Sequence, residues 1–288
     1  MEGYTRAGMK PSPFDYFDPT SVDEVLDLLA ENGDDAVVLA GGQSLIPLLN
    51  LRLAAPSVVI SPRRCVELRS FTVTPSGLDA GALVTAAELE SSPDARSIPG
   101  LSEALRHIGH IQIRNRTTIG GSIAHADPAA ELPALLLALD GTVTLRSRAR
   151  GTRVMSADDF IVGPLTTAKA ADELLTRVFL PRFDGGVVVA EIGDRPGDFA
   201  TVGVVVALGP ALDARIVVFG AGARPQRIPD AERAVTSGAS LPEVSELVRL
   251  GTDASGDAHA SADYRRHVAG TLVSRAIGEL GDGRGGTR

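Results

Sequence analysis

Apolar positions Val22, Val25, Leu26 and Leu29 recur at helical spacing in "TSVDEVLDLLAENGDD", and Ser21 with Glu24 has capping-box spacing. A helix is expected there, stopped by Gly33. The pattern then changes to short continuous apolar runs. "AVVLA" (36–40) and "SVVIS" (57–61) read as buried strands, and "SLIPLLNLR" between them as a short helix with Pro47 in its first turn. Strand, loop, helix and strand in this order predict a small parallel sheet. Further along, "VELRSFTV" and "GLDAGALV" read as strands. "TAAELES" and "LSEALRHIGHI" (101–111) read as helices, and 112–128 as a long irregular stretch. "AAELPALLLALDG" predicts a helix capped by Asp127, with Pro128 at its first position and Gly141 as its stop. "TVTLRS" and "TRVMS" form a hairpin around "RARG", and "DELLTRVFLP" is a further strand.

Pro181 to Gly186 reads as a subdomain boundary. Beyond it lie "GGVVVAEI", "FATVGVVVALG" and "ARIVVFGAG". The "VGVVVAL" run fits a buried strand or a buried helix, because a short apolar run has no period to read. Three helices close the chain: "DAERAVTSG", "LPEVSELVRLG" and "SADYRRHVAGTLVSRAIGEL". Residues 1–8 read as an extension and "GDGRGGTR" as a disordered tail. Strands and helices that do not alternate strictly predict an α+β chain.

A length of 288 residues predicts two or three subdomains. No apolar run reaches the ~18 residues of a membrane span, and the N-terminus lacks an apolar signal core, so a cytoplasmic protein is expected. A net charge of −8 argues against a broad basic face for nucleic acid, while leaving room for a local pocket for a small anion. Cys65 is the single cysteine, which excludes an intrachain disulfide. It also excludes an iron–sulfur cluster held by this chain's own thiolates, which needs about four. A buried apolar filler is the expected role for Cys65.

Two glycine pairs, Gly41-Gly42 and Gly120-Gly121, are each preceded by an apolar run and followed by serine. Each is either an ordinary turn or a nest of backbone N–H groups that accepts an anion. Two such loops facing one diphosphate would suit an acidic protein, with Ser44, Thr118 and Ser122 adding hydroxyls. Neither is a Walker A or a Gly-x-Gly-x-x-Gly sequence. His107 and His110 lack further ligands nearby in sequence and read as surface or loop histidines. His125 and "RNR" (114–116) adjoin the second pair, as cofactor neighbours or as solvated loop. There is no nucleophile elbow, so any reaction falls to a cofactor.

"AGGQS" and "TIGGS", within "FDYFDPTSVDEVLDLLAENGDDAVVLAGGQSLIPLLNLRLAAPSVV" and "LRHIGHIQIRNRTTIGGSIAHADPAAELPALLLALDG", resemble the FAD-binding medium subunits of molybdenum hydroxylases, which include carbon monoxide dehydrogenase flavoproteins and bacterial xanthine dehydrogenase FAD subunits. "RPGDFATVGVVVAL" and "SADYRRHVAGTLVSRAI" match as well, so the resemblance runs from about Met9 to Leu280. It implies a two-part PCMH-type FAD-binding domain over 1–181: a small parallel sheet at about 9–62, then a larger antiparallel sheet with helices at about 63–181. A C-terminal domain over 182–288 would carry a three-stranded sheet and a helical bundle.

By resemblance, Ala40, Gly41, Gly42, Gln43 and Ser44 form the first FAD pyrophosphate loop, and Thr118, Ile119, Gly120, Gly121 and Ser122 the second. Glu131, Leu175 and Gly109 fall at cofactor-lining positions, and Phe199 falls where some relatives place a tyrosine beside the flavin. The implied partners are a molybdopterin-binding large subunit and a 2Fe-2S small subunit, with NAD or a quinone as electron acceptor. A stand-alone flavoenzyme and a non-catalytic flavin carrier are the alternatives. Flavin reduction by a physiological donor, and co-purification with molybdenum and iron, distinguish them.

Overall fold

The computed structural model describes residues 10–285. The N-terminal part holds β1 (Asp15–Phe17), α1 (Val22–Asn32), β2 (Ala36–Val38), α2 (Leu45–Asn50) and β3 (Val58–Ile60). Its three strands are parallel, in the order β1-β3-β2. The predicted stripe of α1 is buried against Val58, Ile60 and Cys65. That burial pushes the Cys65 thiol up to about 11, so it acts as filler. Ser21 Oγ accepts from the Glu24 N–H at 3.2 Å, as expected. The Glu24 carboxylate, however, takes the Thr20 N–H at 2.8 Å instead of closing the box on Ser21. β1 is absent from the sequence reading because all three of its residues are exposed, leaving no alternation to read.

The middle part begins with β4 (Phe71–Thr74), β5 (Gly77–Gly81), α3 (Ala86–Ser91), α4 (Leu101–His107), α5 (Ile111–Arg114), α6 (Ile119–His125) and α7 (Glu131–Ala138). It continues with β6 (Thr142–Ser147), β7 (Gly151–Ser156), α8 (Ala157–Phe160), β8 (Ile161–Gly163), β9 (Thr166–Thr167) and β10 (Glu173–Pro181). Its main sheet is antiparallel, in the order β4-β5-β10-β6-β7. The β6–β7 hairpin and β10 lie where the sequence puts them, but "VELRSFTV" is extended only from Phe71. The stretch 112–128 is not irregular, since α6 and most of α5 fall within it. The helix expected over 101–111 ends at His107, because Gly109 turns the chain at φ +43°. α7 starts at Glu131 after Ala130, later than expected. Asp127 instead closes the preceding turn, its Oδ1 accepting the Ala129 N–H at 2.8 Å.

The C-terminal part is an antiparallel meander of β11 (Gly186–Ile192), β12 (Val202–Leu208), β13 (Ala214–Phe219) and a two-residue β14 (Gln226–Arg227), one short strand more than expected. α9 (Pro229–Thr236), α10 (Leu241–Gly251) and α11 (Ala262–Gly285) follow. The ambiguous "VGVVVAL" is strand β12, buried along its whole length. It is sandwiched: Val202, Val204, Val206 and Leu208 belong to the core shared with α9–α11, while Val205 and Ala207 belong to the core around α7. α7 is buried on every side, which is why its apolar residues show no stripe. α11 continues to Gly285, past the Gly281 where a tail was expected; residues 1–9 and 286–288 lie outside the described residues. No described helix is long and apolar enough to cross a membrane.

A candidate cofactor site at two touching glycine loops

The chain leaves β2 and enters α2 through Ala40–Ser44. Gly42 sits at φ +79°, where only glycine is unstrained. Gly41 does not have a positive φ; it is bare for another reason. A Cβ there would overlap the Arg116 carbonyl oxygen and stand 2.8 Å from its carbon. No described residue accepts a hydrogen bond from the backbone N–H groups of Gly41, Gly42, Gln43, Ser44 or Leu45. All five residues are half-buried. Ser44 precedes α2 without using its hydroxyl as a cap. Five successive donors without a described acceptor on a partly sheltered loop make this stretch a candidate anion-binding nest.

The second pair is built differently. Gly120 and Gly121 lie in the first turn of α6, neither at positive φ. The Ile119 and Gly120 N–H groups bond to the carbonyls of Val84 and Ala82, at 2.9 and 3.0 Å. The Gly121 N–H bonds to Thr118 Oγ1 at 3.1 Å, and that of Ser122 to the Thr118 carbonyl at 3.0 Å. Their donors are therefore spent on the fold. These glycines serve close packing: a Cβ on Gly120 would lie 2.5 Å from the Ala82 Cβ, and one on Gly121 only 3.3 Å from the Ala40 Cβ. The two pairs thus touch, Gly41 against Arg116–Thr117 and Gly121 against Ala40. Of "RNR", Arg116 is exposed beside the first loop, its Nε 3.5 Å from the Gly41 carbonyl oxygen. Arg114 is committed elsewhere, to Glu90 at 2.7 Å and to the carbonyls of Ile108 and Gly109.

Gly109 and Phe199 come from distant parts of the sequence, yet their segments adjoin. A Cβ on Gly197 would stand 3.2 Å from the Gly109 carbonyl carbon, and Phe199, two residues on, is 63% exposed. Leu175 and Ile119 are buried in the main core. Glu131 opens α7 and is 5% exposed; burial pushes its carboxyl up to about 8. His107 was expected to be a surface or loop residue. It is the last residue of α4 and partly exposed, its Nδ1 lies 3.2 Å from Glu191 Oε1, and this bond holds the imidazole above its usual range. The Glu191 side chain is 8% exposed, and its Oε2 has no partner among the described residues. Nothing in the sequence signals this pair, because Glu191 arrives on β11.

The family described as FAD binding domain in molybdopterin dehydrogenase matches residues 12–183, and CO dehydrogenase flavoprotein C-terminal domain matches 189–280. The chain belongs to this molybdopterin dehydrogenase flavoprotein family. It is 40% identical to the nicotine 6-hydroxylase medium subunit of Paenarthrobacter nicotinovorans, over 95% of this chain and 99% of that one. It is 33% identical to the carbon monoxide dehydrogenase medium chain of Hydrogenophaga pseudoflava, over 93% and 97%. Among solved structures, quinoline 2-oxidoreductase from Pseudomonas putida 86 superposes with a TM-score of 0.90 at 34% identity, covering 95% of this chain and 99% of that one. As a member of the molybdopterin dehydrogenase flavoproteins, the chain is an FAD-dependent oxidoreductase subunit of the α+β class.

Proposed function

We propose that this chain binds FAD non-covalently at its first glycine loop and relays electrons from an iron–sulfur partner subunit to an external acceptor. The observation that carries this reading is the run of five unpartnered N–H groups from Gly41 to Leu45, in a chain of this family. They suit a diphosphate, with Arg116 adding a nearby positive charge. In this reading the N–H groups of Ile119–Ser122 hold the second loop against the first, the Thr118 N–H and the Thr118 and Ser122 hydroxyls are left as further donors, and the segments of Gly109, Glu131 and Phe199 line the flavin end. Phe199 packs on the ring system without offering a hydrogen bond. FAD, when bound, supplies the redox chemistry; the chain supplies binding, orientation and exclusion of water.

The single cysteine, buried and at a raised pKa, fits a chain that receives electrons from clusters carried elsewhere. The proposed partners are a molybdopterin-binding large subunit and a 2Fe-2S small subunit, with NAD or a quinone as acceptor. The chain is expressed alone and together with its neighbouring genes, and flavin absorbance, iron and molybdenum are measured. Uptake of FAD and co-purification of both metals support the relay. FAD without metals, turning over a substrate unaided, would replace it with a stand-alone flavoenzyme, and no FAD uptake in either preparation would end the reading.

A further inference from the structure

β11 is an outer strand of the C-terminal sheet, paired with β12 on one side only. Its free edge is covered by α4 of the middle part, which runs beside it in step. Gly100, just before α4, meets Val187: a Cβ there would stand 2.5 Å from Val187 Cγ1. Glu103 meets Val189, its Oε2 accepting the Val189 N–H at 3.1 Å. His107 meets Glu191, its Nδ1 3.2 Å from Glu191 Oε1. Each step is two residues on the strand and three or four on the helix. The rises agree, at about 6.7 Å against about 4.5–6 Å.

We propose that α4 is a latch on the free edge of β11 and that His107 is its titratable rung. Protonated, the ring holds Glu191 and ties the middle part to the C-terminal part; neutral, it lets the edge open. The latch belongs to the chain without flavin and is independent of the FAD reading.

Burial gives the rung its strength. The Glu191 side chain is 8% exposed, its Oε2 has no partner among the described residues, and His107 is the one cation paired with it there. Such a carboxylate loses its compensation when the ring loses its proton. The neighbouring charges leave that pairing intact. On α4 itself, Arg106 donates to the Ser102 carbonyl at 3.2 Å. From α3, Glu90 is held by Arg114 and Glu88 by the Thr85 N–H, both at 2.7 Å. Arg96, between α3 and α4, donates to the Glu90 carbonyl at 3.3 Å. From α7, Glu131 favours the imidazolium. His110, past the end of α4, faces Gly197.

The sign of the pH dependence follows. The Glu191 bond raises His107 above its ordinary 6.5, against the opposing effect of burial. The stabilisation is therefore complete below 6.5, and it is lost as pH rises through the raised value.

Hydrogen exchange at the Val189 amide, corrected for its intrinsic pH dependence, reads the edge directly in the full chain. Its protection is expected to fall about fivefold between pH 6 and pH 9, the upper end for a partly exposed ion pair. In His107→Gln and in Glu191→Gln this fall disappears. Glu131 titrates in the same range, at about 8, so Glu131→Gln is the control, and the fall must survive there. Glu103→Ala removes the acceptor of the Val189 N–H, and should lower protection at every pH while leaving the fall in place. An imidazole NMR titration adds a readout that packing alone does not move: the His107 pKa must drop in Glu191→Gln. Protection that stays level in wild type, a fall that survives His107→Gln or vanishes in Glu131→Gln, or a His107 titration unchanged in Glu191→Gln would each overturn the latch. Where His107→Gln does not fold, the wild-type profile, the Glu131→Gln control and the NMR titration decide.

Discussion

Glycine is chosen at Gly41 and Gly42 for two different reasons, and single substitutions separate them. Gly42→Ala keeps the loop contact but forces a side chain into φ +79°, at a cost of about 1–2 kcal/mol. Gly41→Ala drives a methyl into the Arg116 carbonyl and must push the two loops apart. FAD affinity in Gly41→Ala should fall by more than about tenfold, equivalent to ~1.4 kcal/mol. Isothermal titration of both variants checks this, and an unchanged affinity in Gly41→Ala would show that the loops need not touch. Arg116→Gln should weaken FAD binding by less than about tenfold, with the loss fading at high salt as an exposed charge requires. The sequence marked these positions but not their causes. Only a folded chain reveals that Gly41 yields to a carbonyl far along the sequence, or that the N–H groups of the second pair are already spent. The His107–Glu191 pair was illegible for the same reason, as its halves lie on α4 and β11.

At the scale of elements, legibility followed exposure contrast. α1, α9 and α10 each have one wet face and one dry face, and their periodicity gave them away. β12 and α7 are dry all round, so the first stayed ambiguous and the second lost its boundary. β1 is exposed throughout and left no pattern at all. Within β12, Gly203 lies opposite Phe219 of β13, and a Cβ there would stand only 2.1 Å from the Phe219 Cζ. The strand keeps a glycine at a small packing loss because the neighbouring aromatic fills its space. Gly203→Ala should therefore destabilise the chain by about 1–3 kcal/mol through overpacking. Phe219→Leu in the same background should recover part of that loss. Urea unfolding of the two variants measures both, and a Gly203→Ala variant as stable as wild type would mean the ring has room to move.

For the molecule as a whole, sequence pattern and family matches both divide the chain near residues 181–189, while the packing joins what they divide. The main core contains Val187, Val189, Val205, Ala207, Val217 and Phe219 from the later part, together with nearly all of α7 from the earlier one. The meander is thus covered on one face by its own helices and on the other by α7. Each fully buried leucine that loses its cover forfeits about 1.5–3 kcal/mol. Whole domains are stable by only about 5–15 kcal/mol, so uncovering a few such side chains is enough to abolish folding. A fragment ending at Phe183 should therefore keep helical circular dichroism, bind a hydrophobic dye, and unfold without a cooperative transition. The complementary fragment from Gly186 should fail likewise, since the apolar face of β12 and β13 toward α7 would lie open. Mixing the two should restore cooperative unfolding if the shared core is what holds them, and a cooperative transition in either fragment alone would show that the two parts fold independently. The same coupling bears on the proposed flavin site, because Glu131 and Phe199 come from opposite sides of the division. FAD binding should accordingly be recovered only by the mixture and by neither fragment, and that joint recovery is what separates one folding unit from two adjacent domains.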